Sequence, residues 1–282
     1  MAPVRTMRVN VDVTTLWVSP DSPRPVDAAA LADTPDLPGW LRAMDARARD
    51  GQDGDGRLGL HGRVHTQLLA GEPVLVVSGA VAAADAGSDA GSDAGSDAGS
   101  DAGSDAGWVE AVCPWQPSAS DERGYRGWLR RAHLIPDDMP GHRDGPPDES
   151  WALTPDEAER PVLSLARRHL GLPYLWGGMS PLGLDCSGLV HLVWRELGAV
   201  VPRDADQQLA ACRRLDVAQA EPGDLYFFAG PGAVVHHVGI VTAPGRMIHA
   251  QEAASGILEE PLDDTRQATL IGAGRLSWGR GR

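Results

Sequence analysis

Residues 172–190 read LPYLWGGMSPLGLDCSGLV, a glycine-rich turn that leads into an apolar pattern with helical spacing. The pattern predicts a helix that begins at Asp185 or Cys186 and continues to Leu197. Gly198 follows directly and is a typical residue at the end of a helix. A cysteine therefore lies in the first turn of a predicted helix.

The position of Cys186 has a chemical consequence. The positive end of the helix dipole and the free N–H groups of the first turn favour a thiolate, so we expect the pKa of Cys186 to be lowered. The same N–H groups are suited to bind the oxyanion of an acyl-transfer intermediate. From its position alone, an inert cysteine packed under the helix is an equal alternative. Cys113 and Cys212 are assigned that structural role.

Two later segments supply candidate bases for a thiol nucleophile. The run VVHHVGIV at residues 234–241 predicts a strand, and alternation places His237 on the face of Gly239, which leaves room beside it. His236 falls in a fuller apolar row, which favours His237 as the base. His249 lies on the next predicted strand and is placed to orient that base. Each histidine alone has a structural role as the alternative interpretation.

The chain divides into two predicted domains. Residues 1–137 hold short strand-like runs with Gly and Pro between them, which predicts a small all-β barrel. Residues 85–107 are an Asp-Ala-Gly-Ser repeat, which predicts a disordered insertion in a hairpin loop. Residues 138–153 are rich in proline and predict a linker, and residues 154–282 predict an α+β domain.

Within these domains the patterns predict individual elements. In the first domain we expect a helix near 40–48 and strands at 9–18, 62–69, 72–77, 108–113 and 127–134. In the second domain we expect a helix capped at Thr154 that ends before Gly171, and strands at 224–228, 234–241, 246–250, 256–259 and 268–272.

Composition narrows the function. The net charge of −14 argues against binding to a nucleic-acid backbone or an anionic membrane. No apolar run is long enough for a membrane span, and the start of the chain does not resemble a signal peptide. We therefore expect a cytoplasmic protein, with export by an unrecognised route as the alternative. No metal or organic cofactor is expected, and the oligomeric state is not predicted.

Three motifs in fixed order carry a family resemblance: DCSGLV at 185–190, HVGIV at 237–241 and IHA at 248–250. They resemble the NlpC/P60 family of bacterial cell-wall cysteine peptidases, which have a papain-like fold. The segments PYLWGG at 173–178, PRDADQQ at 202–208 and PGDLYFF at 222–228 are similar to that family as well. The resemblance implies roles for four residues, with Cys186 as nucleophile, His237 as general base, His249 as the third polar residue and Tyr174 as a hydrogen-bonding group near the thiol.

A narrower resemblance concerns the substrate. Asp185 and Ser187 are similar to the residues of γ-D-glutamyl-L-diamino acid endopeptidases that recognise a free N-terminal L-alanine. The first domain resembles the bacterial SH3-like domain of that subgroup, and Tyr125 matches an aromatic residue that lies near the substrate amine. Before Thr66, where that subgroup has an acidic residue, this chain has His65. As a simpler alternative, Asp185 only caps its helix.

These implications predict a cysteine endopeptidase that cleaves small murein peptides with an unblocked N-terminal L-Ala, during cell-wall recycling. Two alternatives remain open. One is an exported hydrolase or amidase that acts on the intact wall, and the other is a wall-peptide-binding protein that has lost its activity. A complete set of Cys, His and His argues against the second alternative.

Overall fold

A computed structural model describes residues 5–47, 54–79, 107–137, 161–252 and 256–276. Three predicted features lie outside these residues: the linker at 138–153, the capping segment at Thr154 and the Asp-Ala-Gly-Ser insertion up to residue 106. The strands on either side of the insertion are described, and they pair with each other in antiparallel fashion.

The first domain is built on one antiparallel sheet with the strand order β3-β2-β6-β5-β4-β1-β7. Two short helices, α1 (Ala28–Leu31) and α2 (Leu37–Asp45), lie between β2 and β3 in the chain. The strands are β1 (Arg5–Val9), β2 (Val13–Trp17), β3 (Val64–Leu69), β4 (Pro73–Gly79), β5 (Trp108–Cys113), β6 (Tyr125–Arg130) and β7 (Leu134–Pro136).

Two predictions for this domain need correction. The strand expected at 9–18 is divided into β1 and β2, because the chain bends at residues 11–12 and the two strands take different places in the sheet. The helix expected at 40–48 begins earlier, since the Asp36 carboxylate accepts a hydrogen bond from the Gly39 N–H at 2.8 Å and so caps α2.

In the described residues, the second domain combines four helices with a six-stranded antiparallel sheet of order β10-β15-β11-β12-β13-β14, which confirms the α+β prediction. The helices are α3 (Pro161–Arg168), α4 (Cys186–Glu196), α5 (Ala205–Ala211) and α6 (Asp264–Thr269). The strands are β8 (Met179–Ser180), β9 (Gly183–Leu184), β10 (Arg213–Leu215), β11 (Leu225–Ala229), β12 (Val235–Ala243), β13 (Arg246–Gln251), β14 (Gly256–Pro261) and β15 (Leu270–Arg275).

Helix α4 is the centre of the second domain. Its side chains Leu189, Val190 and Val193 are fully buried in a core shared with the six-stranded sheet. Burying each of these side chains contributes about 1.5–3 kcal/mol. The Asp185 carboxylate accepts a hydrogen bond from the Gly188 N–H at 2.6 Å and caps the helix. Packing and capping together fix the position of Cys186 at the helix start.

Besides the two-residue strands β8 and β9, three elements of the second domain were not predicted: α5, α6 and β10. Each has seven residues or fewer and a mostly exposed face, so it carries little periodic signal. Residues 268–269, predicted as part of a strand, belong to α6 instead. The Asp263 carboxylate caps that helix through the Arg266 N–H at 2.7 Å.

Buried polar contacts hold the two domains against each other. Arg195 of α4 forms an ion pair with Glu72 at 2.5 Å, and both side chains are almost completely buried. The same guanidinium lies 4.9 Å from the ring centre of Trp115. The Met179 N–H donates to the Gln67 side chain at 3.1 Å. Because these contacts are directional, the two domains can contribute side chains to one site.

Candidate active site

Cys186 opens onto a cavity of about 610 Å³ between the two domains. The residue is half-buried, and its sulfur accepts hydrogen bonds from the backbone N–H groups of Ser187 and Val238. Tyr174 lines the same cavity, and burial raises the pKa of its hydroxyl, which therefore stays protonated as a donor. The cavity also receives Val18, His61, Val64, His65 and Tyr125 from the first domain.

The expected direction of the Cys186 pKa is wrong. Burial raises the pKa of the Cys186 thiol to about 12, and the negative charge of Asp185 acts in the same direction. The backbone N–H groups of Ser187 and Val238 oppose this shift but do not outweigh it. The charged form of a buried group is disfavoured when water is removed from it. The Cys186 thiol is thus neutral at rest, and a nucleophilic role for it requires a general base.

His237 is placed to be that base. It lies on β12, lines the same cavity as Cys186 and is only 6% exposed, whereas the neighbouring His236 is exposed. Gly239 is required beside it, because a Cβ there would lie 2.4 Å from the Met247 sulfur and 3.2 Å from the His249 Cβ. The small residue thus allows His249 to approach from β13.

A chain of hydrogen bonds determines which ring nitrogen carries the proton in His237 and in His249. His237 Nε2 lies 2.8 Å from His249 Nδ1, and His249 Nε2 lies 3.0 Å from the Glu260 carboxylate. A carboxylate only accepts, so neutral His249 carries its proton on Nε2 and accepts at Nδ1. His237 then donates from Nε2 and keeps a free lone pair on Nδ1. Glu260 was not recognised from the sequence.

The electrostatic surroundings keep His237 neutral. Burial lowers its pKa well below the usual value of 6.5, and the positive charge of Arg266 adds to this effect. Burial also lowers the pKa of His249, although its hydrogen bond to Glu260 acts in the opposite direction. A neutral imidazole and a neutral thiol that line the same cavity have the protonation states from which general-base activation of the sulfur starts.

Asp185, next to Cys186 in the chain, belongs to a buried cluster of polar and charged side chains. The positively charged member of this cluster, Arg203, was not among the predicted site residues. Arg203 is 1% exposed and donates to both Asp185 oxygens, at 3.0 and 2.7 Å. It also donates to the Ser187 hydroxyl at 3.0 Å and, across the domain boundary, to the Thr66 hydroxyl at 2.8 Å. Arg203 lies in the PRDADQQ segment at 202–208, whose sequence alone predicts no role for the arginine.

The first domain closes this end of the cavity with an aromatic pair. Tyr125 donates a hydrogen bond to the Asp204 carboxylate, and its ring centre lies 5.2 Å from that of His65. Burial raises the pKa of Asp204 and lowers the pKa of His65. At the position where an acidic residue was expected from the resemblance, this chain thus presents a neutral imidazole. Asp204 was not among the predicted site residues.

Two further observations concern only the part of the chain that the structure describes. There, no group of three or more His, Cys, Asp or Glu side chains is arranged to hold a metal ion. Its helices are all too short or too polar to cross a bilayer.

Comparisons with known proteins agree with this geometry. Residues 171–274 match the NlpC/P60 family. A Bacillus subtilis protein named gamma-D-glutamyl-L-lysine dipeptidyl-peptidase is 29% identical over 90% of this chain and 92% of its own length. A Bacillus cereus protein of the same name is 26% identical over 90% of this chain and 86% of its own length.

The fold agrees as well. The crystal structure of an NlpC/P60 family protein from Bacillus cereus superposes with a TM-score of 0.74 over 96% of this chain and 99% of that one, at 22% identity. The papain-like fold expected for the second domain is thereby confirmed, while the SH3-like assignment of the strand-rich first domain stays a prediction. Fold, site and comparisons together show that the chain carries a cysteine peptidase domain of the NlpC/P60 family.

Proposed function

We propose that the protein is an endopeptidase that cleaves the γ-D-glutamyl-L-diamino acid bond of free murein peptides with an unblocked N-terminal L-Ala. The charge of the closed cavity end carries this proposal. At this end, the guanidinium of Arg203 faces the two carboxylates of Asp185 and Asp204, so the three side chains together carry one net negative charge. The two Bacillus relatives are named gamma-D-glutamyl-L-lysine dipeptidyl-peptidases, which supports the same bond specificity.

The substrate ammonium completes this cluster. Arg203 already neutralises Asp185, so the uncompensated charge belongs to Asp204, whose raised pKa reflects burial without a full partner. An α-ammonium group placed among Asp204, Asp185, the Ser187 hydroxyl and Tyr125 supplies the missing positive charge through charge-assisted hydrogen bonds. An acylated amine leaves the buried acceptors unpaired and is rejected.

The reaction is acyl transfer through a thioester. His237 Nδ1 takes the proton from Cys186 as the sulfur attacks the γ-glutamyl carbonyl carbon, and first-turn N–H groups of α4 hold the oxyanion. The C–N bond then breaks, and His237 gives the proton to the leaving amine. Water attacks the thioester, His237 takes one proton of that water and returns it to the sulfur, and L-Ala-γ-D-Glu leaves. His249 and Glu260 hold His237 in the required tautomer throughout.

The domain organisation fits this role. We place the domain boundaries at residues 1–137 and 154–282, with an SH3-like first domain as one wall of the site. That wall contributes Tyr125 and His65 and limits how far the substrate extends beyond its amine. Because only released peptides have a free L-Ala amine, the protein acts in the recycling of wall fragments.

A single comparison tests the proposal. L-Ala-γ-D-Glu-L-Lys and its Nα-acetyl form on the alanine are incubated with the protein, and the products are identified by mass spectrometry. We expect cleavage of the free tripeptide, and a loss of about 100-fold or more in kcat/KM after acetylation, since an ammonium partner of buried carboxylates is lost. Equal cleavage of both peptides would remove the ammonium site.

A further inference from the structure

Arg266 presents a cation to the cavity on the side of the catalytic histidine. It is the third residue of α6, and the cap from Asp263 holds its backbone in place. Its guanidinium lies 5.4 Å from the ring centre of Phe228. The Phe228 ring in turn lies 5.5 Å from the ring of His237. Arg266 thus lies near the base and not in the buried Asp185 cluster.

Among the residues that the structure describes, Arg266 forms no ion pair, although it is half-buried and lines the cavity. By contrast, Arg203 in the same cavity is paired with Asp185 at 2.7 Å. A guanidinium matches the geometry of a carboxylate through two parallel N–H donors. An anionic group of a ligand is therefore the natural partner.

The direction of the substrate identifies that group. The N-terminal ammonium occupies the end of the cavity near Asp204, and the scissile carbonyl lies at Cys186. His237 protonates the leaving amine, so the diamino acid extends past His237, where Arg266 lies. We propose that Arg266 binds a carboxylate of the leaving diamino acid, so that this carboxylate determines which substrates are preferred. This inference rests on the proposed function.

Two carboxylates have this chemistry, and matched peptides distinguish them. L-Ala-γ-D-Glu-L-Lys carries the main-chain carboxylate of its lysine, and the C-terminal amide of the same peptide carries no carboxylate on the lysine. In a third peptide, meso-diaminopimelate replaces the lysine and its main-chain carboxyl group is amidated, so that only the side-chain carboxylate remains. We expect the protein to cleave one or both carboxylate-bearing peptides about 10- to 100-fold faster in kcat/KM than the lysine amide. The faster peptide identifies the carboxylate that is bound.

Variants assign this preference to Arg266. R266Q is expected to cleave the acid and the amide at similar rates, whereas R266K keeps part of the preference. R213Q is the matched control, since Arg213 is an exposed arginine on the edge strand β10 that does not line the cavity. It should keep the full preference.

The outcomes separate this inference from the proposed function. Equal cleavage of all three peptides by the wild-type protein would overturn the role of Arg266 and leave the endopeptidase assignment in place. Equal losses on acid and amide in R266Q would also overturn it, because such losses indicate a structural effect. If the wild-type protein cleaved none of the peptides, the proposed function would fail, and this inference with it.

Discussion

Replacing Arg203 with methionine should destabilise the protein strongly, because the substitution leaves the Asp185 carboxylate buried without its counter-charge. Arg203 is 1% exposed and the Asp185 side chain 9% exposed, so water cannot replace the guanidinium. Removing one partner of such a pair costs about 3–5 kcal/mol of the free energy of unfolding. For a chain of this size, that loss corresponds to a decrease in Tm of about 6–20 °C.

The assay is thermal unfolding followed by circular dichroism, with two comparison variants. R167M removes a surface pair with Glu259, in which the arginine side chain is 49% exposed, and should cost only about 0–1 kcal/mol. The double variant D185N/R203M should be more stable than R203M, because a neutral asparagine needs no counter-charge and still caps α4. A Tm for R203M within 2 °C of the R167M value would refute this reasoning.

Two further predictions concern His237 and the residues that position it. E260A should lower kcat by about 10- to 100-fold, which is a part of the roughly 10²–10⁴-fold that a positioned general base contributes. E259A, on the same strand, should have little effect. Similar kcat values for the two variants would contradict a role for Glu260. Because the pKa of His237 lies well below 6.5, the base stays neutral as the pH falls through that value. The acidic limb of kcat/KM against pH should then have its midpoint below 6.5, and a midpoint at or above 6.5 would contradict the structure.

The elements that carry Cys186 and His237 could be predicted from the sequence because their signals are local. The glycine-rich turn, Asp185 and the apolar face of α4 lie within one short segment, and an aspartate directly before an apolar pattern with helical spacing is a known start signal for a helix. The strand with His237 shows its alternation within eight residues. Side chains that such segments present can therefore be proposed without knowledge of the tertiary structure.

The partners of these residues could not be predicted in the same way. Arg203 reaches Asp185 from 18 positions further along the chain, and its contact with Thr66 spans 137 positions. Glu260 follows another glutamate, and only the pairing of β14 with β13 decides which of the two meets His249. The direction of the Cys186 pKa failed for a related reason: the helix start is a local feature, but the burial that outweighs it depends on the whole fold.

Turnover of L-Ala-γ-D-Glu-L-Lys by single cysteine variants tests the central claim most directly. The C186A variant should release no dipeptide while its unfolding temperature stays close to that of the wild type. C113A and C212A should retain turnover, since Cys113 and Cys212 lie buried away from the cavity. Release of L-Ala-γ-D-Glu by folded C186A at a rate near that of the wild type would contradict a nucleophilic sulfur at residue 186.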